Sequence, residues 1–487
     1  MDYFLSIDQG TTSTRSILFE QSGNIKSSHQ VEFKQIFPDN KSVEHDANEI
    51  LETVKTSIRN VTKDIDVKSI KSVGITNQRE TTVAWSKTTG MPLHNAIVWQ
   101  DTRTQDICDE LVADKDLSVY FDKTGLPVAT YFSLSKILWL IRNVPDIKKT
   151  LDTDVCFGTI DSWLIYNLTG NYYTDVTNAS RTLLYDLYKM EWSKDLLSKL
   201  SIPINSLPEV KPSFSNFGEL KEIIPGVPVT AVLGDQQAAL FGQNCTKKGD
   251  VKNTYGTGCF ALTNTGNNII NSDNGLLTTI AYQKEGEDAM YALEGSVPIA
   301  GAAVQWLRDN LNIIDKSEDI ESLAMLEKDN GDVYFVPAFS GLFSPHWDET
   351  ARGSLFGLTR FSNKSHMARA VLESVAFQTY ELIESMEIDL DTKFENLKVD
   401  GGMVDNNLLM QFQSDILGKS IHSQEINEIT ALGVGLASYL YIMDLPISAM
   451  SDYITSSKTW NPNMSNETRI KFLNSWHKAI EKAKNWL

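Results

Sequence analysis

The sequence predicts an α/β protein of two domains that face one cleft, and three observations predict it. The chain has 487 residues, beyond the size at which a single hydrophobic core stops growing, so two cores are expected. Short β-branched runs alternate with helical periodicity, the pattern of α/β domains. Two segments, YFLSIDQGTTSTRSILFE at 3–20 and VKNTYGTGCFALTNT at 251–265, both read as strand, Gly-Thr turn and strand, one opening each half. The boundary is placed near Asn244, giving domains 1–244 and 245–487.

In chain order, the first hairpin is followed by a strand at 70–76 (IKSVGIT), a helix at 133–143 (SLSKILWLIRN) and a strand at 229–235 (VTAVLGD) that ends in an acid. The Pro-rich stretch IPINSLPEVKPSF at 202–214 is expected to be a surface connection. In the second half, Met367, Val371, Val375 and Tyr380 fall near one face of a helix at 366–386. KVDGGMVDNNLLMQF at 398–412 reads as a strand that runs through Gly401-Gly402 into an apolar helix. The last stretch, about 445–487, ends in the basic HKAIEKAKNWL and is expected to be a solvated capping helix.

Composition removes several function classes. Hydrophobic residues at 41% and charged residues at 22% are ordinary for a globular chain. The net charge of −19 disfavours nucleic acid and anionic membranes, which are gripped by clustered Lys and Arg. No apolar run approaches the ~20 residues of a membrane span. The opening MDYFLSIDQG has no basic leader or small-residue cleavage site, and a cytoplasmic location is expected. Cys108, Cys156, Cys245 and Cys259 form no C-x-x-C pair, and the seven histidines form no ligand pair, so neither disulfides nor a transition metal is expected.

Three glycine-containing stretches compete as phosphate cradles. LGKS at 417–420 imitates the end of a P-loop, but the motif needs glycine where the chain has Gln413. GTGCFA at 256–261 fits a dinucleotide fingerprint, yet it runs into a strand where that fingerprint must open a helix. DQGTT at 8–12 remains. Gly10 lets backbone approach a ligand, the following N–H groups form an anion nest, and Thr11, Thr12, Ser13 and Arg15 add donors. Asp8 would repel bare phosphate, which makes sense with Mg²⁺ between them. Read alone, the stretch is equally a Thr- and Ser-rich hairpin turn. An acid such as Asp235 at a strand's end is often just a helix cap, but ligands of open α/β sheets bind at that edge, which favours a functional acid.

Taken together, IDQGTTSTR, VEHDANEI, GITNQRETT, NAIVWQDTRT, TDVTNASRTLLYD, GDQQAALFGQ, KNTYGTGCF, ALEGSVPIAG and VDGGMVDNNLL resemble the FGGY carbohydrate kinases, and within them the branch that acts on glycerol; the match runs to about residue 440. The resemblance implies two ribonuclease-H-like, actin-like ATPase domains flanking a central cleft, and transfer of the ATP γ-phosphoryl group to glycerol, giving sn-glycerol 3-phosphate. It implies that Thr11, Thr12, Ser13 and Arg15 meet the phosphates with Thr257 opposite, and that Gly301, Gln305, Gly402 and Asn406 line the rest of the ATP site. It also implies that Asp8 and Asp235 hold Mg²⁺, and that Arg79, Glu80, Trp99, Tyr131, Asp235, Gln236 and Phe260 bind glycerol. Asp235 is the expected general base, and a homo-oligomer, dimer or tetramer, is expected. A three-carbon polyol leaving water needs convergent donors and acceptors, which Arg79, Glu80, Tyr131 and Gln236 offer. The alternatives are a kinase for erythritol or xylulose, and an actin-like ATP switch without enzymatic activity. The switch leaves Arg79, Glu80 and Trp99 without a role. GELKEIIPGVPV at 218–229 lacks the arginine of the bisphosphate-binding loop of some relatives, and 209–230 has no histidine to phosphorylate, so neither control is expected.

Overall fold

Two twisted sheets, each begun by an antiparallel hairpin, organise the chain; the computed structural model describes residues 2–113, 118–454 and 456–487. The first sheet runs, edge to edge, Phe214–Glu219, Pro228–Gly234, Ile70–Asn77, Tyr3–Gln9, Ser13–Glu20 and Ile25–Glu32. Its hairpin sets Asp8 opposite Arg15, while Ile70–Asn77 lies parallel to the first strand and Pro228–Gly234 parallel to Ile70–Asn77. The inner strands Tyr3–Gln9, Ile70–Asn77 and Pro228–Gly234 are mostly buried because helices cover both faces. The Ala47–Thr62 helix, capped by Asp46, buries Ile50, Val54 and Ile58 on one side.

The second sheet repeats the scheme in the order Leu277–Tyr282, Met290–Val297, Cys259–Gly266, Val251–Tyr255, Asn396–Asp400, Ser420–Gln424 and Ser456–Trp460. Again the hairpin is antiparallel, and its first strand has a parallel neighbour, with Thr254 opposite Asp400. The Lys364–Leu390 helix fills this half and is buried on most of its surface, so the expected face of Val371, Val375 and Tyr380 is only part of its contact.

Three expectations change. The 202–214 stretch contributes the strand Glu209–Lys211, which pairs in parallel with Tyr173–Asp175, so it is more than a surface connection. Between Gly401 and the helix Asn407–Leu417 lies a turn of 3₁₀ helix, Gly402–Asp405, because Gly401 turns the chain with φ +96°. The Asn466–Ala483 helix is not merely solvated: Trp476 is fully buried against Phe377, ring centroids 5.0 Å apart.

The halves share hydrophobic cores. The Ile429–Ile442 helix lies on the first sheet, where Val434 and Leu436 pack with Phe4 and Leu233. Leu277, Ile280 and Tyr291 of the second sheet join the core around Leu134, Phe157 and Leu184.

Candidate active site

The strands that run parallel deliver their loops to one edge of each sheet, where ligands of open α/β sheets bind. At the first sheet this edge carries Asp8, Arg79 and Glu80, and Asp235, which opens the Asp235–Gly242 helix. Arg79 and Glu80 are buried, so they are no surface pair. Glu80 holds φ at 61°, the left-handed region a non-glycine residue enters at a cost of about 1–2 kcal/mol. Its carbonyl anchors the turn by accepting from Ser133 Oγ at 3.0 Å. Gly234 makes room for the arginine: a Cβ there would come within 2.7 Å of Arg79 Cδ.

A buried charge network fixes this floor. Arg79 forks onto Glu294, with Nη1–Oε2 at 2.5 Å and Nη2–Oε1 at 3.0 Å, and its Nε lies 3.2 Å from Asp235 Oδ1. Arg181 joins Glu80 at 2.7 Å to Glu294 at 3.2 Å. Burial alone would raise Glu294, but Arg181 and Arg79 overcome it and hold its carboxyl at about 2. Burial lifts the Glu80 carboxyl despite Arg79 and Arg181, and lifts Asp235 despite Arg79, the Gln236 N–H and Lys252. Asp235 Oδ1 accepts the Gln236 N–H at 2.7 Å; Oδ2 takes no hydrogen bond from the described residues.

Trp99 connects this floor to the first Gly-Thr turn. Its Nε1 donates to Thr11 Oγ1 at 3.1 Å, and its ring meets Tyr131 edge-on at 5.7 Å. Gln236 faces the second domain, where Lys252 Nζ donates to its Oε1 at 2.6 Å and to the Phe260 carbonyl at 3.2 Å. The Arg181 guanidinium lies over the Tyr131 ring at 5.7 Å, so Arg79, Glu80, Trp99, Tyr131, Asp235, Gln236 and Phe260 are joined in one set of contacts through Arg181, Glu294 and Lys252.

Of the expected nucleotide residues, Thr12 is exposed at the tip of the first turn, and Thr257 at the tip of the second. The Thr257 carbonyl accepts from Ala300 and Ala302 at 2.9 and 3.0 Å, and the Gly256 carbonyl accepts from Gly301, which docks the tip on the Gly301–Asp309 helix. Gln305 is exposed on that helix, and Gly402 on its own turn. Asn406 caps the Asn407–Leu417 helix through Leu409 N–H at 2.8 Å. Ser13 Oγ accepts from Gln30 Nε2 at 2.9 Å. Arg15 is paired with Glu428 and Gln30, so reaching a phosphate requires it to leave these partners.

Asp8 carries the clearest electrostatic signal. Burial, followed by the charges of Asp235 and Glu428, pushes its carboxyl up to about 7, with Arg15 opposing. Crowded carboxylates of this kind fit a divalent cation. Among the described residues no group of three His, Cys, Asp or Glu side chains is arranged to hold a metal by itself.

Glu294, Arg181, Lys252 and Glu428 were not singled out by sequence reasoning. The available signal was an acid inside the apolar strand MYALEGSV, since a charge on a buried strand requires a partner.

The two hairpin-led sheets, with loops gathered at matching edges, define a ribonuclease-H-like, actin-like ATPase fold. Solved structures agree: glycerol kinase of Plasmodium falciparum with ADP has TM-score 0.94 at 39% identity, covering 99% of this chain and 98% of that one. Xylulose kinase of Lactobacillus acidophilus has TM-score 0.88 at 21% identity, covering 99% and 98%, and supports the fold alone. The model of the FGGY family of carbohydrate kinases matches through its N-terminal domain at 3–242 and its C-terminal domain at 251–439. The chain belongs to the FGGY family of carbohydrate kinases. Among curated relatives, glycerol kinase of Chloroflexus aggregans is 48% identical over 497 residues, covering 100% of this chain and 99% of that protein. Glycerol kinase of Brucella anthropi is 48% identical over 494 residues, covering 99% of each.

Proposed function

We propose that this chain is a glycerol kinase, transferring the γ-phosphoryl group of ATP to a terminal hydroxyl of glycerol to give sn-glycerol 3-phosphate and ADP. The observation that carries it is the line Thr11–Trp99–Tyr131, which joins the first Gly-Thr turn to the cluster of buried donors and acceptors around Arg79 and Glu80. The full-length likeness to proteins named glycerol kinase favours glycerol over erythritol or xylulose.

In this reading Arg79, Glu80, Tyr131 and Gln236 take the polyol hydroxyls, while Trp99 and Phe260 cover its carbon chain. With Oδ1 tied to Arg79 and Gln236, Asp235 has Oδ2 free to accept the proton of the attacking hydroxyl. Its raised carboxyl makes it a stronger base than an exposed aspartate. The hydroxyl oxygen bonds to the γ-phosphorus, the bridging P–O bond breaks, and its electron pair leaves on ADP. Thr11, Thr12, Ser13 and Arg15 on one side, and Thr257, Gly301, Gln305, Gly402 and Asn406 on the other, grip the nucleotide. Asp8 would hold Mg²⁺, with Asp235 meeting the ion only through water, and the ion would neutralise phosphate charge.

A coupled ADP assay over a panel of polyols tests the substrate, with glycerol expected to give the highest kcat/KM. Asp235→Asn is expected to lower kcat by roughly 10²–10⁴ with an unchanged melting temperature. Full turnover in that variant would remove Asp235 from the reaction. Titration calorimetry with glycerol separates the kinase from an actin-like switch, which should bind no polyol. The buried free thiols favour the cytoplasm. A domain boundary at 244/245 and a dimer or tetramer complete the proposal, tested by limited proteolysis and light scattering.

A further inference from the structure

A phosphate nest works only if its peptide groups point the right way. In a planar trans peptide the carbonyl of one residue and the N–H of the next point in opposite directions, so pinning the carbonyl aims the N–H. In the turn 10–13 every carbonyl is pinned inward. Gly10 O accepts from Gln9 Nε2 at 2.8 Å and Gln78 Nε2 at 3.1 Å, and Thr11 O from Gln35 Nε2 at 3.0 Å. Thr12 O accepts from the Phe33 N–H at 3.3 Å, and Ser13 O from the Gly10 N–H at 2.9 Å. The Thr11 and Thr12 N–H groups, by contrast, have no hydrogen-bond partner among the described residues.

Two of these pins, Gln35 and Gln78, converge on one buried side chain. His45 lies on the short strand Glu44–His45, edge-on to Phe33 with ring centroids 5.0 Å apart. Its Nε2 is 2.8 Å from Gln35 Oε1, and its Nδ1 is 3.4 Å from Gln78 Nε2. Gln35 spends its amide N–H on Thr11, so the oxygen it turns to His45 needs a donor. Gln78 Oε1 accepts from Thr81 Oγ1 at 2.9 Å, so Gln78 turns its amide NH₂ to Gly10 O, to Gln9 Oε1 at 3.1 Å and, as a longer shared contact, to the His45 Nδ1, which meets it with a lone pair. Only the neutral Nε2–H tautomer meets both demands. Burial keeps the imidazole neutral, lowering its pKa to about 4.

We propose that His45 is a positioning residue for nucleotide binding: by fixing which ends of Gln35 and Gln78 face the turn, it holds the carbonyls of Gly10 and Thr11 inward and the N–H groups of Thr11 and Thr12 toward the phosphates. This rests on the reading that the turn receives the nucleotide.

His45→Phe keeps a ring against Phe33 and removes both hydrogen bonds; Gln35→Met, at a partly exposed position, removes one pin. Each is expected to weaken ADP, measured by titration calorimetry, by roughly tenfold, the scale of one hydrogen bond. The KM for glycerol stays within about twofold, because the polyol floor is held by other contacts. The double variant is expected to be no weaker than the worse single one, since both act through one relay. Unchanged ADP affinity in both variants, an equal rise in the glycerol KM, or strictly additive losses would overturn the role of His45. If His45→Phe melts early, Gln35→Met alone decides. Gly10→Ala and Thr12→Val, which alter the turn directly, separate the two claims. If they leave ADP binding unchanged, the phosphate reading of the turn fails. If they weaken ADP while His45→Phe and Gln35→Met do not, only the relay fails.

Discussion

Glu294 sits on a strand with almost no access to water, where an isolated carboxylate would cost far more than any single contact returns. Two guanidinium groups reverse that balance, and both belong to the other half of the chain. Glu294→Gln leaves Arg79 and Arg181 under-compensated, and an expected loss of roughly 3–5 kcal/mol would lower the urea midpoint. The pH dependence has a definite sign. Because the folded carboxyl is held at about 2, below its ordinary 4.5, its contribution is present above pH 4.5 and is lost as pH falls toward 2. Unfolding followed between those limits should slope more steeply in the parent than in Glu294→Gln; equal slopes would show that the carboxylate is not held by the two arginines. At this scale Arg79, Glu80 and Asp235 were legible because each lies in a stretch whose neighbours mark it. Glu294 and Arg181 were not, because nothing in the spacing of 79, 181 and 294 encodes that their side chains meet.

The element that determines how the halves sit is a helix pair, Asp235–Gly242 against Ile429–Ile442, crossing at glycines. A Cβ on Gly433 would come within 2.0 Å of the Ala238 carbonyl, and one on Gly242 within 2.3 Å of the Ile429 carbonyl. Both obstacles are backbone, which cannot rotate aside. Gly433→Ala is therefore expected to lower stability by at least the roughly 1–3 kcal/mol typical of overpacking, seen as a drop in melting temperature. An unchanged melting temperature would mean that the helices part without cost. Periodicity made the helix at 133–143 legible to the residue, since Leu134, Ile137, Leu138 and Leu140 all face the core. The strand Glu209–Lys211 was hidden for the opposite reason: three residues between prolines carry no period, and its partner lies more than thirty positions earlier. The final helix was read as solvated because basic residues surround Trp476, while burial at Leu473, Trp476, Ala479 and Ile480 follows one narrow stripe.

Across the whole molecule, the contacts between the halves are unevenly distributed, and this governs how the cleft can move. The floor is joined by Glu294 to Arg79 and Arg181 and by Lys252 to Gln236, while shared cores weld Leu277–Tyr282 and Ile429–Ile442 to the first half. Beside the first turn Arg15 pairs with Glu428, but among the described residues the exposed tips Thr12 and Thr257 themselves make no hydrogen bond to the other half. A nucleotide gripped by both tips would draw the outer parts together about this fixed floor. Water would then be excluded from Asp235, which is still partly open to solvent. Two expectations are coupled by this argument. Small-angle scattering should register compaction when glycerol and a non-hydrolysable ATP analogue are both present, and ATP hydrolysis without polyol should be slow, because the open cleft leaves phosphate and base misaligned. An unchanged scattering profile together with rapid hydrolysis in water would mean that the resting cleft already has the reacting geometry, with nothing but the polyol pocket selecting alcohol over water.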